Sequence, residues 1–293
     1  MLITKLIELY CLICHFYDTK SVLKHQRLSN FKPRFTDQEL MTCYFFAMLN
    51  NHHQIREIYD YISHHWSEWF PDLPTYQAFN NRLNNLSASF AIIADHLLQA
   101  KLLNGGESFS ADSIIDSFPV MLCRGKKSKS CRTAGELADF GYCSSKDIYY
   151  WGVKLHNLAV RRIKQLPIPA AVFLSPASTH DLIAFKQADP HIPTDNLFAD
   201  KAYSDQELKL YLQSKGVTLL TPPKKKKYDL PQFYEPLWSK FVSSFRQPIE
   251  GFFKWLNDKT EYQNASRVRS MNGLLVHCYG KLAFAGLLLC FYS

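Results

Sequence analysis

The sequence predicts an α/β protein in which a mixed-sheet domain follows an all-helical one. Three stretches carry that expectation. Asn196-Leu197-Phe198-Ala199-Asp200 is an apolar run stopping on an aspartate, and Ser204-Asp205-Gln206-Glu207 after it has the spacing of a helix N-cap with a glutamate three residues on, so the order is strand, carboxylate, helix. Upstream, the first hundred or so residues carry helical periodicity. Between the two, Asn104-Gly105-Gly106 breaks the chain and the pattern turns to β-rich alternation. The expected domains are therefore 1–104, helical, and 105–293, mixed α/β.

Composition limits what such a chain can do. Its 293 residues are 47% hydrophobic and 14% aromatic, ample for a packed core. The formal net charge of +8 is the footprint expected of a protein with an anionic partner such as nucleic acid, although a merely basic soluble protein would carry it equally well. Residues 1–16 are apolar but interrupted by Lys5 and Glu8, so an amphipathic helix is expected rather than a secretory signal. Residues 273–292 have spanning length, yet contain His277 and Lys281, and a buried helix is expected there rather than a membrane span. Cys11-Leu12-Ile13-Cys14-His15 matches the haem-attachment spacing. Without an export signal both thiols are read as one face of a core helix, with no haem, and the scattered cysteines fit a reducing cytoplasm.

In the helical part, Thr36-Asp37-Gln38-Glu39 opens a helix that places Leu40, Met41, Tyr44, Phe45 and Met48 on one side. A second helix is expected from about His53 to His64. Tyr76 to Leu83 is short and amide-rich and contains Arg82, so it reads either as the second helix of a DNA-binding helix-turn-helix or as an ordinary surface helix. A further helix covers about Ser87 to Leu103.

The second part opens with Ser113 to Val120, a buried strand with Asp116 in its middle and an end expected near Pro119. The basic loop that follows contains Lys126, Lys127, Lys129 and Arg132. It is either solvated or in contact with phosphates, and its place beside a candidate active-site strand favours phosphates. Strands are expected at 147–160, 170–174, before Asp200, and at 217–221, with Thr179-His180-Asp181 capping a helix between. Lys224, Lys225, Lys226 and Lys227 form a like-charge block that must face solvent or an anion. A last amphipathic helix is expected to begin near Ser244, with Pro248 in its first turn and Phe245, Ile249, Phe252, Phe253 and Leu256 as its apolar stripe. Arg246 and Glu250 then share another face.

Asp116, Asp200 and Glu250 thus stand on a first strand, at the end of a central strand and on a late helix. Those are the places of the acids in an RNase H-like fold, where carboxylates hold two Mg²⁺ ions about 3.5 to 4 Å apart for in-line displacement at phosphorus. Moreover, Asp116-Ser117-Phe118-Pro119, Asp200-Lys201-Ala202-Tyr203 and Arg246-Gln247-Pro248-Ile249-Glu250 resemble the three blocks of the DDE transposases of bacterial insertion sequences, with the nine-eight-two group as the particular likeness. Lys154-Leu155-His156 and His180-Asp181 match intervening blocks, and Thr36 to Leu83 resembles the helical N-terminal region.

The resemblance implies Asp116, Asp200 and Glu250 as catalytic metal ligands for Mg²⁺, with Mn²⁺ as a substitute. It implies hydrolysis at the element ends followed by transfer of the 3′-OH ends into target DNA. The partners would be double-stranded DNA, as terminal inverted repeats and target, and further copies of the chain assembled on it, in the bacterial cytoplasm. Arg246 would orient the glutamate or touch DNA. Arg82, Lys126, Lys127, Lys129, Arg132, Lys201, Lys224 to Lys227 and Lys254 are the other candidate DNA contacts. Where relatives carry a tyrosine and a lysine around Arg246 and Glu250, this chain has Ser243 and Asn257, with Lys254 and Lys259 nearby. Asp112, four residues before Asp116, competes for the first ligand role. A silent or co-opted transposase that only binds DNA, and a nuclease without strand transfer, share these features.

Overall fold

The computed structural model describes residues 2–19, 33–103, 109–223 and 235–291. The block Lys224 to Lys227 lies outside them. The chain forms two compact units: 1–97 with 258–262 and 267–293, and 98–257 with 263–266. The expected boundary near residue 104 therefore differs in one respect, since the last stretch groups with the first hundred residues and not with the sheet.

The helical unit contains α1 (Leu2–Thr19), α2 (Asp37–Leu49), α3 (Ile55–His65), α4 (Tyr76–Asn85) and most of α5 (Ser87–Leu103). The capping box that opens α2 is formed, with Thr36 Oγ1 accepting from the Glu39 amide and Glu39 accepting from the Thr36 amide. α2 is buried along most of its length, so it is the unit's core helix. α1 buries Leu6, Leu9, Ile13, Phe16 and Tyr17. That stripe bypasses Cys11, which is exposed; the expectation that both thiols face the core is corrected for Cys11.

Residues Met271–Phe291 form α9, interrupted by a π-helical turn at Val276–Gly280. The helix is long and apolar enough to cross a membrane, but its apolar window is 67% buried within the protein. The polar groups inside it point inward: His277 Nε2 lies 2.7 Å from the Tyr262 carbonyl, and Lys281 Nζ donates to the Glu261 carbonyl at 3.2 Å. Gly280 is required there, because a Cβ would lie 2.7 Å from the Tyr44 hydroxyl.

The second unit is a six-stranded mixed sheet. β1 (Phe109–Arg124) pairs antiparallel with β3 (Ile148–Arg162), and on its other side runs parallel to β5 (Asn196–Phe198), which is parallel to β6 (Thr218–Leu220). The far side of β3 carries β2 (Asp139–Cys143) along its first half and β4 (Ile168–Pro176) along its second, both antiparallel. β2 was not anticipated, and β1 runs through Pro119 into Arg124, beyond its expected end. The Met121 amide donates to the Gln263 carbonyl, so odd-numbered amides of this part of β1 face away from β3, and Pro119 removes no bond from that ladder.

One face of the sheet packs on α6 (Asp181–Ala188) and α7 (Gln206–Ser214), through Phe185, Leu208 and Leu212 against Ile115, Leu158 and Leu197. α7 is capped by Asp205, not by a Ser204–Glu207 box: Asp205 accepts from the Leu208 amide, and Glu207 pairs with Lys186 at 2.6 Å. The other face packs on α8 (Glu235–Thr260), with Phe198 stacked on Phe245 and Phe118 on Phe253. α8 starts nine residues earlier than the expected Ser244. Pro236 is its first-turn proline and Pro248 lies in its interior. The buried stripe Val242, Ile249, Phe252 and Leu256 on both sides of Pro248 holds the helix together across the missing N–H.

Candidate active site

β1 and β5 deliver the first two carboxylates. Their parallel register matches Ile114 with Phe198, the last residue of β5; Asp116 lies two residues further along β1 and Asp200 two residues past the end of β5, near enough for its charge to act on Asp116. Asp116 is anchored from two sides: its Oδ1 accepts from the Ser117 amide at 2.8 Å, and its Oδ2 takes the Arg246 guanidinium from α8 at 2.7 Å. Burial pushes the Asp116 carboxyl up to about 6, against the pull of Arg246 and the Ser117 amide, and the Asp200 charge adds to the push. Asp200 caps the short turn Lys201–Tyr203 by accepting from the Ala202 amide at 2.7 Å.

Glu250 is exposed on α8, one turn beyond Arg246, and Lys254 is exposed one turn further, so the three follow one another along the helix. Among the described residues, no three His, Cys, Asp or Glu side chains gather closely enough to enclose an ion. Asp116 and Asp200 are thus brought together, and Glu250 is not drawn in with them. Asp112 lies opposite Asn196 at the start of β5, accepts from its amide at 3.1 Å and stands 3.6 Å from Arg161. Four residues of strand, about 13 Å, separate it from Asp116.

Several buried polar groups around the pair lack hydrogen-bond partners among the described residues. They are both amide atoms of Asn157, which faces Asp116 across the β1–β3 ladder, Nε of Arg246 and the hydroxyl of Tyr203. Burial raises the Tyr203 phenol well above its ordinary value, and Asp181, Asp116 and Asp200 raise it further. Orphaned donors and acceptors beside two carboxylates mark a place built for water, an ion or a ligand oxygen. The donor set is entirely oxygen, which suits Mg²⁺ or Mn²⁺, so the residues fit such ions in chemistry.

On the opposite face, Ser117 Oγ and Lys154 Nζ both donate to Asp181, at 3.0 and 2.8 Å, tying α6 to β1 and β3. The block likeness takes in Lys154 and Asp181, and the expected helix cap also contains Asp181; in the fold this network joins them.

The other expected DNA contacts divide. Lys126, Lys127, Lys129, Arg132 and Lys201 are exposed. Arg82 donates to the Phe35 carbonyl and to the buried Asp37, both at 2.7 Å, and so braces α4 against the start of α2. The partner is 45 residues away, beyond the reach of a local pattern. Asn257 is likewise occupied, accepting from the Gln263 amide at 3.0 Å.

A family model for a transposase DDE domain matches residues 108–271, more than half of the chain. The chain belongs to the DDE transposases. No curated protein and no solved structure gives a match. The matched span takes in the whole sheet of the transposase, its acid pair and the helix that carries Arg246 and Glu250.

Proposed function

We propose that this transposase cuts the phosphodiester at the ends of its own element and joins the freed 3′-OH ends to target DNA, with Asp116, Asp200 and Glu250 as the metal-holding carboxylates. The observation that carries the reading is the closeness of Asp116, inside β1, to Asp200, just past the end of the parallel β5, beside a helix that sets Arg246 on Asp116 and carries Glu250. The strand order, with one strand antiparallel beside three mutually parallel ones, supports an RNase H-like catalytic unit. When bound, two Mg²⁺ or Mn²⁺ ions would supply charge for the attacking and leaving oxygens.

The chain's own groups do the rest. Asp116 and Asp200 present oxygens from a rigid sheet. Glu250 would join them as the third carboxylate. Arg246, which holds Asp116 at 2.7 Å, would be free to grip a phosphate if an ion took its place on the carboxylate. Lys201 and Lys254 flank this position and would grip the backbone nearby, and Lys126, Lys127, Lys129, Arg132 and Lys224 to Lys227 would hold DNA further out. The helical unit would recognise the terminal inverted repeat, and copies of the chain would bridge two ends, as in the nine-eight-two group that its blocks resemble.

The test is cleavage of a labelled duplex carrying the terminal repeat, with Mg²⁺ and with EDTA, by the wild type and Asp200→Ala. Metal-dependent cutting at the repeat boundary, lost in the variant while binding survives, is the expected result. Binding without cutting by the wild type would sink the catalytic reading.

A further inference from the structure

We propose that the β2–β3 hairpin is a stacking platform for unpaired DNA bases. Register places Tyr142 opposite Tyr149 and Phe140 opposite Trp151, so four aromatic side chains share one face of the hairpin, the two tyrosines exposed, Phe140 half-buried and Trp151 buried beneath them. Phe140 and Tyr149 stack at 5.3 Å with 6° between their planes, and Tyr142 adjoins Tyr149 at 4.9 Å. The two tyrosines are 46% and 54% exposed. The hairpin therefore holds an ordered aromatic surface in water, where buried packing cannot be the whole reason for it.

The surface is preformed. The Tyr142 hydroxyl donates to Asp147, which fixes that ring. Gly152 allows the hairpin to close on β1 at its bulge, since a Cβ there would lie 2.0 Å from the Val120 carbonyl oxygen. Its setting is basic: the exposed Lys126, Lys127 and Lys129 follow directly from β1, and the exposed Arg132 lies over the Trp151 ring at 5.6 Å. Of the neighbouring acids, Asp147 accepts from Tyr142, Asp139 accepts from Ser178 and the Phe140 amide, and Glu136 is exposed in the turn beside Trp151. Aromatic rings beside cations are the combination that binds single strands, because an unpaired base offers a π-face and its backbone a charge, whereas a duplex keeps its base faces stacked on each other.

The alternation of β3 puts Tyr149 and Trp151 on the same sheet face as Asn157 and hence Asp116. Eight residues of strand, about 26 Å, separate Tyr149 from Asn157. Resting on the reading that this site cuts DNA, the platform would take the nucleotides unpaired when an end is opened.

The test is equilibrium binding of the full chain, in EDTA, to labelled oligothymidine of about 15 nucleotides and to a duplex of the same length. Wild type, Tyr142→Ala/Tyr149→Ala, Tyr149→Phe and Tyr149→Leu are compared, with thermal melting to check that each is folded. The expected result is a loss of about tenfold or more on the single strand for the double alanine variant, retention by Tyr149→Phe, a partial loss by Tyr149→Leu and little change on the duplex. Unchanged single-strand affinity in the folded double variant, an equal loss on both DNAs, or full retention by Tyr149→Leu would overturn it. Since no cleavage is needed, a transposase that binds oligothymidine through these rings yet fails to cut would sink the catalytic reading and leave the platform standing.

Discussion

At Asp116, burial and ion pairing pull in opposite directions, and burial prevails: the carboxyl stands at about 6 with a guanidinium 2.7 Å away. Arg246 here occupies the oxygen that an ion would need. Replacing it tests the competition, because Arg246→Gln is expected to tighten Mn²⁺ binding, read by calorimetry, by about tenfold while weakening affinity for the terminal repeat. Weaker Mn²⁺ binding in that variant would mean that Arg246 supports the ligands instead of competing with the ion. At this scale the sequence was legible for Asp116 and Asp200, whose places depend on strand and turn patterns close by. It was not legible for Arg82, whose partner Asp37 is distant in the chain, or for Asn157, whose importance comes only from the register that faces it to Asp116.

Among the elements, α8 shows how burial overrides local preference. A proline inside a helix costs about 3 kcal/mol or more, and the aromatic and aliphatic stripe on both sides of Pro248 outweighs it. Pro248→Ala, which restores the donor, is expected to stabilise the protein by about 1 to 3 kcal/mol in denaturant melts. Destabilisation would show that the helix is shaped to need the break. The start of α8 escaped sequence reading because its first turns leave Leu237, Trp238 and Phe241 partly exposed, so no amphipathic stripe announces them. β2 escaped for a related reason: it is five residues long with a glycine at its centre, too short for alternation to stand out. β3, with its long alternation, runs close to its expected ends, and α2 starts at its expected cap.

For the whole molecule, charge sets two expectations. A chain of net charge +8 with exposed lysines beside its acid pair should bind DNA with a steep inverse dependence on salt, measured as the slope of affinity against ionic strength. A flat dependence would remove the backbone-contact role from those lysines. The second concerns Lys281, buried in α9 and pulled down from 10.5 to about 8 by that burial. Between those values the folded state holds fewer protons than the unfolded one, so stability rises with pH across that window. Lys281→Met is therefore expected to be more stable than the wild type by about 3 kcal/mol at neutral pH, an advantage that shrinks as pH climbs from 8 toward 10.5. Equal melting temperatures at pH 7 would contradict it.

The division of the chain has one more consequence, for synthesis. The helical unit draws on the first 97 residues and on residues 258–262 and from 267 onward, with nearly all of the sheet unit between them in the chain. The ribosome therefore delivers the sheet whole before it delivers the pieces that finish the helices, and an element with a late stop codon would make a folded sheet attached to an unfinished bundle. A fragment ending at residue 104 should accordingly show helical circular dichroism without a cooperative melt.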